Sequence, residues 1–267
     1  MNDRDKYVAA NRDAWNEAAP RHAAHNQTRL REQFSQGGCN FLANEVTGML
    51  EEIGVTDKSV VQIACNNGKD LLSLKTMGAG RCLGIDQAEI FLKQARELAE
   101  IAGFDSDVSF RAADVYGLPE DLKERFDIVL TTIGVLAWMP DLEGFFSAVS
   151  GLIVSGGHWV MEESHPILMM YEPGENGGPS RIEHSYFQTE PFAETTGLDY
   201  FGHEKYASSP NYSFTHKISD IVNAGLKVGL ELRGMNEVGH DISNFCSDLE
   251  LAEARPPLGL YMLWRKK

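Results

Sequence analysis

The sequence predicts an α/β protein built on a doubly wound, Rossmann-like sheet, mostly parallel, with an antiparallel last strand and an inserted cap. Three observations carry that expectation. Short apolar runs alternate with amphipathic stretches every 20 to 30 residues between positions 59 and 162. Most of these runs give out at a polar or acidic residue, and two further runs, 226–232 and 258–264, close the chain. Such alternation implies right-handed crossovers and helices on both faces of a parallel sheet.

Each element has its own reason. Residues 3–25 are polar and rich in helix formers, interrupted at Pro20, and lead to a corner at Gln36-Gly37-Gly38. Leu42, Val46, Met49, Leu50 and Ile53 share one face of a helix over 41–53. Val60-Val61-Gln62-Ile63-Ala64 is the first buried strand, followed by the turn Cys65-Asn66-Asn67-Gly68 and a helix through Leu71, Leu72 and Leu74. The second strand, 81–85, ends at Asp86. The helix after it carries Phe91, Ala95, Leu98 and Ala102. A third strand, 108–111, ends before Asp114, and a fourth covers 126–130. Leu142, Phe145, Phe146, Val149, Leu152 and Ile153 line a helix leading to a fifth strand, 158–162.

The rhythm then breaks. Residues 164–211 hold five of the chain's ten prolines, with aromatic residues interleaved among charges. A passive loop of that length is out of place in a compact domain, so the segment reads as a cap over the sheet's carboxyl end. A helix over 215–224 restores order before the last two strands. The expected organisation is a helical lid at 1–40, a cofactor-binding domain at 41–163 and 212–267, and a substrate cap at 164–211.

Composition bounds the function. A length of 267 residues suits one domain with an elaboration, at about 150 residues per domain. The net charge of −15 repels phosphate backbones and anionic lipid, which argues against nucleic acid and membrane partners. No run approaches the ~18 apolar residues of a membrane span, and the start lacks a signal-peptide core, so a cytoplasmic protein is expected. Cys39, Cys65, Cys82 and Cys246 are scattered without a Cys-x-x-Cys pair, which suits a reducing compartment. Nothing resembles a metal-ligand cluster, so no metal requirement is expected.

Ligands of such sheets bind outside the carboxyl ends of the strands. Gln62 to Gly68, Asp86, Asp114 and Thr131-Thr132-Ile133 all fall there. The first turn is poor in glycine, keeping only Gly68, so the backbone lacks the room a pyrophosphate needs and a nicotinamide oxidoreductase is disfavoured. An adenosine without phosphates fits better. Asp86 lies 24 residues after Gln62, where a carboxylate accepts both ribose hydroxyls, and Asp114 can accept from an adenine amino group.

Taken in order, Val60 to Gly68, Leu83-Gly84-Ile85-Asp86, Ala113-Asp114-Val115, Phe126-Asp127-Ile128-Val129-Leu130 and Leu152-Ile153-Val154-Ser155-Gly156-Gly157 resemble the successive motifs of class I S-adenosylmethionine-dependent methyltransferases. The departures are Gln62 for the usual acidic residue, Ala64 and Asn66 for two glycines, and Ser155 where proline is frequent. The resemblance implies S-adenosylmethionine as cofactor. It implies contacts from Ala64, Cys65, Asn66, Asn67 and Gly68 in the turn, Asp86 and Gln87 at the ribose, Asp114 and Val115 at the adenine, and Thr131 and Ile133 after the fourth strand. Trp15 and Phe34 of the amino-terminal helix, near His22 and His25, are expected to close over the cofactor and shield the sulfonium by cation–π contact. Members acting on base or amide nitrogens often carry an Asn/Asp-Pro-Pro-aromatic motif where this chain has Thr131-Thr132-Ile133-Gly134. A small-molecule acceptor, methylated on oxygen or nitrogen, is therefore expected.

His165, just past the fifth strand, is the expected general base, oriented by Glu163. His184, His203 and His216 are weaker candidates, and Trp138-Met139-Pro140 is expected to pack the rim. Two other readings compete: a non-catalytic S-adenosylmethionine-binding accessory protein, and the nicotinamide oxidoreductase.

Overall fold

The computed structural model describes residues 3–37, 39–174, 178–202 and 204–267. Val60–Ile63 (β1), Cys82–Asp86 (β2), Val108–Ala112 (β3), Phe126–Thr131 (β4) and Ile153–Ser164 (β5) pair in parallel in the order 5-4-1-2-3. After β1 the chain steps toward β3, and then returns across the sheet to β4. The strand order thus reverses between β1 and β4, which opens a crevice at their carboxyl ends. All four residues of β1 are buried, as expected of a central strand covered on both faces.

Helices pack on both faces. Lys69–Thr76 (α3) and Glu89–Ile101 (α4) follow β1 and β2, and Leu142–Leu152 (α5) precedes β5. The helix Asn44–Ile53 (α2) lies on the same face as α3, with Val46, Leu50, Leu71, Leu72, Val60, Leu130 and Val160 in one apolar cluster. The other face joins α5 to Val61, Ile63, Val129, Trp159, Met161 and Trp264.

The first helix differs from its expected form. Asp3–Ser35 (α1) runs continuously through Pro20. Proline removes one i→i−4 hydrogen bond and crowds the preceding turn. Packing offsets that cost, since Ala14, Ala18, Ala19, Leu30 and Phe34 are all nearly fully buried. The stripe also contains Asn11, His22 and Asn26. That polar share is why apolar periodicity did not reveal a 33-residue helix. Gly38 of the expected corner and His203 lie outside the described residues.

Residues 164–211 contain no α-helix among the described residues. A 3₁₀ turn at Pro166–Met170 leads to two small hairpins, Tyr171–Glu172 (β6) with Arg181–Ile182 (β7) and Phe192–Glu194 (β8) with Asn211–Ser213 (β9). This segment is tied to α1. Asn11 donates to the Tyr212 carbonyl at 2.9 Å and accepts from the Tyr212 N–H at 2.7 Å, so its carboxamide extends the edge of β9 like another strand.

The chain ends with the helix Ile218–Lys227 (α6) and the hairpin Leu230–Val238 (β10) and Gly259–Lys266 (β11). β11 pairs antiparallel with both β5 and β10 and completes the order 10-11-5-4-1-2-3. The expected helix and strand here are displaced toward the carboxyl terminus by about three to four residues. Gly229, at φ +80°, ends the helical turn and lets β10 begin at Leu230.

Candidate active site at the carboxyl ends of the strands

The turn after β1 keeps the backbone of a glycine-rich loop without its glycines. Ala64 and Asn66 both have left-handed backbones, at φ +53° and +50°. For an L-residue such as Ala64 that conformation costs on the order of 1 kcal/mol and persists only where the surroundings impose it. Gly68, at φ +77°, is needed for packing as well. A Cβ there would lie 2.9 Å from Ala95 and from the Phe110 ring.

Asp86 closes the turn. Its two oxygens accept from the N–H of Asn66 at 2.8 Å and of Ala88 at 2.8 Å, tying the end of β2 to the loop after β1. Burial raises its pKa, and those N–H groups together with that of Gln87 oppose the rise. Each carboxylate oxygen retains a lone pair for a further donor. Asn67 is buried, and the carboxamide of Asn66 accepts from the Asn67 N–H. The Cys65 thiol is buried, and burial beside Asp86 pushes its pKa up, so it is no nucleophile. Asp114 caps its own 3₁₀ turn through the Tyr116 N–H at 3.0 Å. Val115 packs into the core, and Ile133 is solvent-exposed at the end of β4.

A polar row runs across the same ends on the face of α2 and α3. It was not legible as a site in the sequence. The Thr132 hydroxyl donates to Asp70 at 3.0 Å and so has only lone pairs left for Gln62, whose Nε2 donates to it at 3.1 Å. This fixes the Gln62 carboxamide and leaves Oε1 buried without a partner. Lys69 pairs with Asp70 at 2.6 Å. Burial depresses the Lys69 pKa, but Asp70 and Glu162 outweigh it and hold the group above its ordinary value. Glu162, on β5, lies directly opposite Tyr261 of β11. Its pKa is pushed up to about 7, by burial first and then by Asp70.

Glu163 points the other way. Its oxygens accept from the N–H of Gly134 at 3.1 Å and of Leu136 at 2.8 Å, which fastens the loop after β4. Burial pushes its pKa up to about 8, against those N–H donors.

Three expected residues take other roles. His165 was expected to be a base oriented by Glu163, yet both its ring nitrogens are occupied. Nδ1 accepts from the Ile167 N–H at 3.1 Å, and Nε2 pairs with Glu237 at 2.8 Å. An imidazole with that tautomer has no lone pair left to take a proton. His165→Ala removes a cap and a hydrogen bond to the half-exposed Glu237, so a loss of roughly 1–2 kcal/mol and a lower Tm are expected with unchanged turnover in the folded fraction. A thermal melt beside an activity assay checks this. Thr131 was expected at the cofactor, but its hydroxyl accepts from the Trp159 indole at 3.0 Å inside the core. Thr132, the next residue, is buried on the opposite face, beside Gln62 and Asp70. Phe34 packs with Phe41 and Leu30 in the apolar core, where it is almost fully buried.

Trp15 bridges the segments that follow β2 and β4. It packs edge-on against Phe91 at the start of α4, Trp138 after β4 and Tyr200 of the inserted segment. Asn16 and Ala19 of α1 also bond to Ile90 and Gln94 of α4. His22 points to the Leu198 carbonyl at 2.6 Å, and His25 is 3.8 Å from Asp199. His184 and His216 have partners in Glu172 and the Met139 carbonyl.

A family model described as a methyltransferase domain matches residues 55–188. The chain is 28% identical over 106 residues to a tRNA U34 carboxymethyltransferase from Aliivibrio salmonicida, a match that covers 40% of this chain and 32% of that protein. It thus spans about a third of the length of the curated relatives it matches. A solved S-adenosylmethionine-dependent methyltransferase from Mesorhizobium loti matches with a TM-score of 0.61 and 24% identity over 83% of this chain and 95% of that one. Geranyl diphosphate C-methyltransferase from Streptomyces coelicolor A3(2) matches with a TM-score of 0.58 and 12% identity over 84% and 77% of the two chains. These likenesses bear out the Rossmann-like fold.

Proposed function

The chain belongs to the methyltransferase-domain family, and from that membership we propose that it is a class I S-adenosylmethionine-dependent methyltransferase acting on a small-molecule acceptor. The observation that carries this reading is the strained turn Ala64 to Gly68 clamped by Asp86. Its geometry suits a nucleoside laid across β1 and β2, with the Asp86 carboxylate accepting from the ribose diol and Asp114 from the adenine amino group. The orphaned oxygen of Gln62 suits the ammonium of the methionine end, so the residues present fit the cofactor.

When bound, S-adenosylmethionine supplies a methyl group already activated on a sulfonium for in-line displacement. The protein's share is alignment and exclusion of water. Trp15, Phe91 and Trp138 supply apolar cover over the crevice, while Glu163 holds the Gly134 to Leu136 loop that bounds it. Tyr200 and Phe201 are half-exposed beside this cover, and aromatic walls of that kind suit a small acceptor.

The relative from Aliivibrio salmonicida is named for action on tRNA, but the match spans a minority of that protein. A net charge of −15 opposes docking of a polyanion, which favours the small-molecule reading. No group of three or more His, Cys, Asp or Glu residues is placed to hold a metal ion among the described residues. No helix among them is long and apolar enough to cross a membrane.

Calorimetric titration with S-adenosylmethionine tests the cofactor. Transfer of labelled methyl to a metabolite panel and to bulk tRNA tests the acceptor. Binding with label in small molecules is the expected result. Label in tRNA replaces the acceptor class, and binding without transfer favours the accessory-protein reading.

A further inference from the structure

A carboxamide has two unlike ends, so Gln62 can hold a cation only if its oxygen, not its NH2, is kept toward it. Gln62 is buried, and its side chain has one hydrogen-bond partner among the described residues, the Thr132 hydroxyl after β4. Two further contacts set the direction of that bond. Lys69, a donor only, reaches Asp70 Oδ1 at 2.6 Å. The other carboxylate oxygen, Oδ2, accepts the single hydrogen of the Thr132 hydroxyl at 3.0 Å. Thr132 can then only accept from Gln62, so Nε2 is the end it takes, at 3.1 Å, and Oε1 is the end left without a donor. The bonds run one way, from the amide of Gln62 through Thr132 to a carboxylate in the first turn of α3. Thr132 is buried and the Asp70 side chain nearly so, which leaves little water to compete for these groups.

We propose that Asp70 and Thr132 are positioning residues for the amino-acid end of the cofactor, holding the Gln62 carboxamide with its oxygen toward the ammonium, and that Lys69 sets the polarity of this relay from its far end. The proposal rests on the methyltransferase reading above. The charge that a carboxylate at position 62 would bring to the ligand sits instead on Asp70, paired with Lys69, and reaches the ligand as the orientation of one amide dipole. Asp70→Asn therefore reverses the relay. Lys69 can be met only by the oxygen of the new carboxamide, which turns its NH2 toward Thr132. The hydroxyl must then donate to Gln62, whose oxygen turns to Thr132 and whose NH2 faces the ammonium, donor against donor.

Calorimetry with two ligands reads this effect. S-adenosylhomocysteine carries the amino-acid end, and 5′-methylthioadenosine is a thioether of the same nucleoside without it. Asp70→Asn is expected to weaken S-adenosylhomocysteine roughly 10- to 100-fold while changing 5′-methylthioadenosine less than about threefold. Adding Gln62→Glu to Asp70→Asn should recover most of the loss, since a carboxylate accepts from Thr132 on one oxygen and from the ammonium on the other. Thr132→Val removes the hydroxyl without changing any charge. It too should lower the preference for S-adenosylhomocysteine, and in its presence Asp70→Asn should cost less than about threefold more, because the link through which it acts is gone. Failure of the wild-type protein to bind S-adenosylhomocysteine overturns the methyltransferase reading beneath the proposal. Equal losses for the two ligands, or no recovery with Gln62→Glu, overturn the proposal alone. Additive effects of Asp70→Asn and Thr132→Val also overturn it, since Asp70 would then act on the ammonium by charge and not through Thr132. If Thr132→Val does not fold, Asp70→Asn with and without Gln62→Glu still decides.

Discussion

Asp86→Ala is expected to weaken S-adenosylmethionine binding by roughly 30- to 150-fold, or about 2–3 kcal/mol. The magnitude follows from two charge-assisted hydrogen bonds between one carboxylate and the ribose diol. The variant also orphans the N–H groups of Asn66 and Ala88, which the carboxylate now satisfies. Releasing them lets the left-handed turn at Ala64 and Asn66 relax, so a drop in Tm accompanies the lost affinity. Asp86→Asn keeps one acceptor oxygen and should fall between wild type and alanine in both measurements. Calorimetry with S-adenosylmethionine, run on protein shown to be folded by circular dichroism, decides the matter. Wild-type affinity in folded Asp86→Ala would remove Asp86 from the cofactor site.

Stability is expected to fall by roughly 3 kcal/mol between about pH 6.5 and pH 9. Glu162 and Glu163 have folded pKa values pushed up to about 7 and about 8, whereas both ionise near the ordinary carboxylate value once unfolded. Across that window the folded protein holds more protons than the unfolded chain, so stability declines as pH rises. The contribution is fully present below the unfolded carboxylate value and is lost as pH passes through the folded values. At about 1.4 kcal/mol per pKa unit, Glu163 contributes roughly 4–5 kcal/mol in all, lost from about pH 4.5 upward, and about 2 kcal/mol of that is lost above pH 6.5. Burial lowers the pKa of His22, His165 and His216, which gives the opposite slope, but that contribution flattens through the ordinary imidazole value of about 6.5 and is complete by about pH 7.5. Urea denaturation at half-unit pH intervals should therefore show a maximum near pH 6–7. Glu163→Gln loses a hydrogen bond to the loop after β4 and is less stable at every pH, yet its decline above pH 7 should be much shallower. An unchanged slope in that variant would mean that Glu163 is ionised throughout.

The sheet was legible because a buried parallel strand must be almost wholly apolar and must give out where its carboxyl end meets solvent. Val60 to Ile63, Cys82 to Asp86 and Phe126 to Thr131 follow that rule, and Asp86 and Asp114 are marked by where the runs stop. The helix α1 was only half legible, since its buried stripe uses Asn11, His22 and Asn26, whose fit depends on partners such as the Tyr212 backbone and the Leu198 carbonyl.

The sequence by itself determined the α/β alternation, the turn after β1 and the two strand-end aspartates, because these depend on local pattern and on positions along single strands. Tertiary structure alone decided which side chains share a space. It paired His165 with Glu237, 72 residues away. It set Thr131 against Trp159 on one face and Thr132 against Asp70 on the other, and it set Glu162 opposite Tyr261 from a strand that arrives 99 residues later. The physical reason is that a titratable group's role depends on its burial and its neighbours' charges, and both are fixed only when distant segments pack.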